Sequence, residues 1–318
     1  MNKVTIIENK SEIGAGTRGS SLGIDALKIA ALNNGSSYFP NHVSTTIEDK
    51  NFLLKKKIKF PKAIRIEGVI GIFNSVANQV SAQLEKNRVP IILSGDHSSA
   101  GGTIAGIKMA HPEKRLGVVW IDAHADIHSP YTSPSGNIHG MSLATALNED
   151  NDKHRIHEVD SLTMEMWGKL KNISRIVPKI SPRDVVYVGL RDTEESEDFY
   201  ISTNNVKSFL VEEVRRKGVN EISQDILSYL SDCDIIYVSF DVDSMDCDLV
   251  SYGTGTPVPN GLSEQEAGGL INLLMIDKRS ICIEFVEINP CLDNKQNKMA
   301  ETAFRILENA TSIIEKRG

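Results

Sequence analysis

Cysteine is scarce in this chain. Cys233, Cys247, Cys282 and Cys291 are the only four in 318 residues, and no two form a CxxC pair. That excludes a disulfide-stapled scaffold and a cysteine-built zinc site, and it predicts reduced, mostly buried thiols. Long apolar runs are missing too. No uncharged stretch reaches the roughly 18 residues that a membrane span needs. The opening segment MNKVTIIENK is too short and too polar for a secretory signal. Positive charge is not in excess: 35 Lys and Arg against 42 Asp and Glu give 35 − 42 = −7, which argues against a nucleic-acid surface. Internal repeats and low-complexity linkers are absent. The expectation is a cytoplasmic globular protein with neither a nucleic-acid nor a membrane partner. With 40% hydrophobic and 24% charged residues, the length permits one large domain or two small ones around a substantial core.

What is present is a repeated order of apolar strand, polar loop and helix. Val4 to Ile7, Val89 to Leu93, Leu116 to Ile121, Val185 to Leu190, Ile235 to Phe240 and Ile281 to Ile288 read as strands, the last carrying Glu287. They are apolar without alternation, which predicts helices on both faces of the sheet. Ile72, Val76, Val80 and Leu84 share one helical face that ends at Asn87-Arg88, and Ala100 to Ala110 suits a helix of small residues. Ser263 and Glu266 have capping-box spacing, and a further helix is expected over Asn297 to Glu308. The order predicts an α/β fold with a largely parallel sheet and a site beyond the carboxyl ends of its strands. Gly14 to Gly19 must be a loop. Its glycines serve turns or, more weakly, nucleotide binding, since no acidic residue closes a clear βαβ unit about 20 residues on. Lys55-Lys56-Lys57 reads as a solvated face.

Acids and histidines gather at those strand ends. His97 follows one strand, Asp122-Ala123-His124-Ala125-Asp126 the next, and Asp241-Val242-Asp243 a third. Taken singly, an aspartate at a strand end is often a cap or turn former, and a lone histidine is often a hydrogen-bonded core residue. Two imidazoles and four carboxylates together are too many acids to bury without cations. Alternate spacing points ligands one way on a continued strand, and in a loop it still lets them converge. The set predicts a two-metal hydrolase. Carboxylate with some imidazole suits manganese, with iron, cobalt or zinc compatible. A carboxylate shared by two ions leaves a water that readily becomes a nucleophile. His139, in the polar loop Ser135 to Gly140, either shuttles protons near neutral pH or caps a turn. Glu287 either holds a planar cation such as a guanidinium or faces solvent.

These residues carry a resemblance to the ureohydrolase family, most of all its arginase branch. The resemblance spans Gly14 to Glu287. It rests on Ser94-Gly95-Asp96-His97-Ser98, Asp122-Ala123-His124-Ala125-Asp126, Ser239-Phe240-Asp241-Val242-Asp243 and Gly255-Thr256-Pro257, with Arg18-Gly19 and Leu22-Gly23 resembling the family's opening loop. It implies one ureohydrolase domain over residues 1–318, a three-layer α/β/α fold around a mainly parallel eight-stranded sheet, and two manganese ions. His97, Asp122, Asp126 and Asp241 would hold one ion. Asp122, His124, Asp241 and Asp243 would hold the other. A hydroxide bridging them would attack the guanidinium carbon of L-arginine, giving L-ornithine and urea. His139 matches the proton-shuttling histidine and Glu287 the guanidinium-binding glutamate. Asp126 would also hydrogen-bond the nucleophile. The resemblance further implies a homo-oligomer, a trimer or hexamer.

The loop Thr132 to Asn137 resembles the one that reads arginine's α-carboxylate, with Ser135 and Asn137 at the contacting positions. His128, Asp192, Glu194, Thr256 and Glu287 join them as expected substrate contacts. Three departures stand out. His128 replaces an asparagine that helps bind the amino acid, and Glu194 stands where the family has an amine-binding aspartate. Asp246-Cys247-Asp248 replaces the usual Asp-Pro. These departures keep the alternative of another substrate open: agmatine, a guanidino acid or formimidoylglutamate.

Overall fold

Strands form mainly where the chain is apolar on both sides. They are β1 (Val4–Asn9), β2 (Ser44–Ile47), β3 (Val89–Ser94), β4 (Leu116–Ile121), β5 (Val185–Val188), β6 (Lys207–Phe209), β7 (Ile235–Asp241) and β8 (Ser280–Val286). They are seen in a computed structural model that describes residues 3–317. All eight join one sheet in the order β2-β1-β3-β8-β7-β4-β5-β6, every pairing parallel.

Alternate residues of each strand feed two separate cores. Val119, Ile121, Val238, Phe240 and Ile283 face helices Gly23–Asn33, Glu264–Ile276 and Lys298–Lys316. Val118, Trp120, Tyr187 and Tyr237 face helices Ile66–Leu84 and Ala100–Ala110. The result is the expected three-layer α/β/α sandwich. Ile72, Val76 and Val80 are fully or almost fully buried, each contributing about 1.5–3 kcal/mol of apolar burial. The small residues of Ala100–Ala110 have a packing reason. A Cβ on Gly106 would stand 2.5 Å from the Ala77 carbonyl, so glycine is what lets the two helices approach.

Several boundaries differ from expectation. β5 stops at Val188, because Gly189 turns the chain at φ 94°. β8 stops at Val286, so Glu287 lies just past the strand rather than on it. The final helix runs to Lys316, well beyond Glu308. β2 and β6 were not anticipated. Both are short edge strands with polar, incompletely buried positions, so neither carries the apolar run that marks the central strands. The Ser263–Glu266 capping box is present in full. Cys233, Cys247 and Cys282 are buried and free, while Cys291 is exposed. Lys55, Lys56 and Lys57 are exposed. Among the described residues no helix is long and apolar enough to cross a membrane.

Candidate metal centre

The carboxyl ends of β3, β8, β7 and β4 lie side by side, and each delivers one part of the site. The ligands converge through turns rather than along a continued pleat. β4 ends at Ile121, and Asp122 Oδ1 then accepts the His124 amide at 2.7 Å. β7 ends at Asp241, whose Oδ1 accepts the Asp243 amide at 2.9 Å and starts a single 3-10 turn. After β3, Asp96 Oδ1 accepts the Ser98 amide at 2.9 Å and opens the turn that carries His97. Such aspartate turns fold the backbone back within two residues. Asp126 and Glu287 both sit at positive φ, 51° and 65°. Non-glycine residues hold that conformation at a cost of about 1–3 kcal/mol, and such strain concentrates at functional sites.

Three carboxylates surround one imidazole nitrogen. His97 Nδ1 lies 3.0 Å from Asp122 Oδ2, 2.9 Å from Asp126 Oδ2 and 3.2 Å from Asp241 Oδ2. His124 Nδ1 lies 3.0 Å from Asp243 Oδ2 and 3.5 Å from Asp122 Oδ1. These form two donor groups that share Asp122: His97 with Asp122 and Asp126, and Asp122 with His124 and Asp243. Despite the close approach, His97 Nδ1 and Asp122 Oδ2 are buried and make no well-directed hydrogen bond. Orphaned buried donors facing one another are what a cation cage looks like, so the residues fit a pair of divalent ions.

The electrostatics agree. Burial and neighbouring carboxylates push Asp241 and Asp243 above the usual carboxylate range. Burial raises Asp126 in the same way, with Asp122 adding to it. Burial opposes charge on His97 and His124, yet the surrounding carboxylates hold both rings well above their ordinary value. Burial also works to raise Asp122, but the close approach of the His124 and His97 rings carries it below the ordinary value. The cage therefore wants positive charge at its centre.

Above the cage is a cavity of about 250 Å³. Among its lining residues are His124, Asp126, Ser135, Asn137, His139, Asp192 and Thr256. Glu287 lies just behind the wall and is only 2% exposed, its Oε1 accepting from the His97 amide at 3.0 Å and His139 Nδ1 at 3.1 Å. Burial would lower His139, but Glu287 lifts it to about 9. Thr256 donates its hydroxyl to Asp243 Oδ2 at 2.9 Å and so braces a cage residue. The Asp192 side chain is 66% exposed at the rim, with Oδ2 3.5 Å from His124 Nε2. The glycine loop after β1 packs against this site. The Gly14 amide donates to Asp96 Oδ2 at 2.9 Å, the Gly14 carbonyl accepts from the His139 amide, and a Cβ on Gly14 would collide with Ser98.

At the far end of the cavity His128 differs from expectation. Its Nε2 meets Glu194 Oε2 at 2.9 Å and its Nδ1 meets Thr132 Oγ1 at 3.2 Å, so both ring nitrogens are already engaged. Glu197, which the sequence reading missed, lines the same corner and is 2% exposed. Its Oε1 accepts the Ile127 amide at 3.3 Å and its Oε2 the Glu194 amide at 3.2 Å. Burial pushes it up to about 8. The Glu194–x–x–Glu197 spacing is a capping box for helix Glu195–Thr203, and that signal was available in the sequence. Asp246 Oδ1 accepts the Asp248 and Leu249 amides at 2.9 and 3.3 Å, so the segment without the usual proline is held by a side-chain turn instead.

An α/β sandwich with two histidines and four aspartates clustered at its strand ends, beneath a small polar cavity, defines a metal-dependent hydrolase. The arginase family model matches residues 2–312. Arginase of Bacillus subtilis is 33% identical over 308 residues, covering 96% of both chains. The crystal structure of a Bacillus subtilis arginase superposes with a TM-score of 0.82 at 32% identity, covering 97% of this chain and 98% of that one. Entamoeba histolytica arginase, solved in complex with L-ornithine, superposes with a TM-score of 0.82 at 28% identity over 98% of each chain. The chain belongs to the arginase family, and it is a metal-dependent amidinohydrolase.

Proposed function

We propose that this chain hydrolyses L-arginine to L-ornithine and urea, using two manganese ions. The observation that carries the substrate is the loop on the cavity wall that presents Ser135 and Asn137. Both are neutral hydrogen-bonding groups on the cavity wall, a chemistry suited to an α-carboxylate, and agmatine has no such carboxylate. The L-ornithine in the Entamoeba enzyme supports the same reading.

His97, Asp122, Asp126 and Asp241 would hold one ion, and Asp122, His124, Asp241 and Asp243 the other. What such a pair supplies when bound is neutralisation of the carboxylates and a water acidic enough to attack at neutral pH. The donor set favours manganese and is compatible with cobalt, iron or zinc. His139 is fixed through Nδ1 on Glu287, which leaves Nε2 to carry a proton to the departing nitrogen. Glu287 Oε2 remains for a guanidinium N–H. Asp126 accepts a hydrogen bond from the attacking water. Glu194 supplies negative charge for the α-ammonium group, with Glu197 beside it and Asp192 at the rim. His128, with both nitrogens occupied, orients Glu194 and does not reach for the carboxylate. We read residues 1–318 as one ureohydrolase domain, and take from the family a homo-oligomer, a trimer or hexamer.

The His128–Glu194 pair favours a second reading, in which another amidine is the better substrate. A kinetic panel decides between them. After manganese loading, urea release should be far faster from L-arginine than from agmatine or guanidino acids, with no formamide from formimidoylglutamate. Agmatine turnover equal to or above that of arginine would overturn the assignment.

A further inference from the structure

Glu284 lies in the middle of β8, fully buried. Among the described residues no lysine, arginine or histidine pairs with it, although an uncompensated buried carboxylate is costly. Its partners are four hydroxyls. Oε1 accepts from Ser94 Oγ at 2.8 Å and Ser99 Oγ at 2.6 Å. Oε2 accepts from Thr103 Oγ1 at 2.6 Å and the Tyr237 phenol at 2.7 Å.

These donors bracket His97. Ser94 ends the strand before it, while Ser99 and Thr103 lie on the turn and helix after it. Tyr237 approaches from β7, two residues before Ser239 and on the same face. Ser239 Oγ in turn lies 2.7 Å from His97 Nε2. His97 Nδ1 faces the cage, so its lone pair is needed there and its proton belongs on Nε2, donated to Ser239. Tyr237, its neighbour on that face of β7, donates to Glu284. Trp120 stacks on the imidazole with ring centroids 4.2 Å apart and so fixes its plane.

We infer that Glu284 is a positioning residue for the metal centre, a carboxylate that locks the backbone on both sides of His97 and holds Tyr237 beside the Ser239 that pairs with the imidazole. The inference rests on the reading of His97 as a ligand of one ion. Partners one shell out from a ligating histidine tune metal affinity by about 10–100-fold.

The test is a manganese titration of the full chain, following both binding events by calorimetry and electron paramagnetic resonance. Wild type should bind two ions. Glu284→Gln keeps the shape but replaces one doubly accepting oxygen with an amide donor, so its hydroxyl partners there must turn round. It should weaken the ion held by His97 by about 10–100-fold and leave the other unchanged. Tyr237→Phe, which retains the core volume, should weaken the same ion by a smaller factor, and it decides the matter alone if Glu284→Gln does not fold. A merely structural role would lower the melting temperature of chelated and loaded protein alike with both affinities intact, and that result would overturn the inference. Wild type that binds no manganese would instead overturn the metal reading itself.

Discussion

Glu287 and His139 are joined by a 3.1 Å hydrogen bond, and the same Glu287 oxygen also takes the backbone amide of His97. One buried carboxylate thus ties the histidine proposed to carry the proton to a turn of the metal cage. The tie separates the two functions. Replacing the ring should disturb proton transfer while the cage keeps its donors. His139→Asn is expected to lower kcat for urea release by about 10²–10⁴-fold, the usual range for a lost general acid. Metal analysis of the same variant should find wild-type manganese, and equal loss of metal would show that His139 belongs to the cage.

The pair also sets a pH dependence in chelated protein. The His139 value is raised from 6.5 to about 9. A raised folded-state value means stability that is fully present below 6.5 and lost as pH climbs through 9. The difference corresponds to about 3 kcal/mol. Thermal melts of chelated wild type and His139→Asn should therefore converge between those limits. Parallel curves across the window would contradict the pairing.

Asp243 offers a test with opposite signs in two states. Burial and the nearby Asp122 make its charge costly until a cation arrives. In chelated protein Asp243→Asn should raise the melting temperature, because it relieves that repulsion. With manganese added the gain should vanish, because the variant binds one ion more weakly and is stabilised less by it. A variant less stable in both states would mean that the carboxylate is held by ordinary hydrogen bonds.

Much of this centre was legible in the sequence because metal ligands must be particular residue types at fixed places along the chain. His97, His124 and the four aspartates are brought together as their motifs implied. The central strands were legible for a related reason: burial on both faces demands an unbroken apolar run. What escaped was set by tertiary contact. β2 and β6 lie at the sheet edges and are polar enough to read as loop. His128 was expected at the substrate's amino-acid end, yet Glu194 and Thr132 claim both its nitrogens, and no single-chain pattern shows which neighbour a ring will meet. Glu284 looked like one polar residue in a strand until four hydroxyls were seen around it.

Substrate reading is tested at the other end of the cavity. Ser135→Ala and Asn137→Ala remove neutral groups expected to meet the α-carboxylate. Hydrogen bonds to a charged group contribute about 1.5–3 kcal/mol, so each change should raise KM for arginine by about 10–100-fold. Agmatine kinetics should not move, since that substrate has no carboxylate to lose contact with. Equal effects on both substrates would place the loop's role in folding.

The central claim is a cage shared by two ions through Asp122 and Asp241. Its most direct test is manganese counting on purified, reloaded protein, with electron paramagnetic resonance on the same sample. Two ions per chain with a spin-coupled signal are expected, since a shared carboxylate holds two cations about 3.5–4 Å apart. One ion per chain, or two ions without coupling, would contradict it.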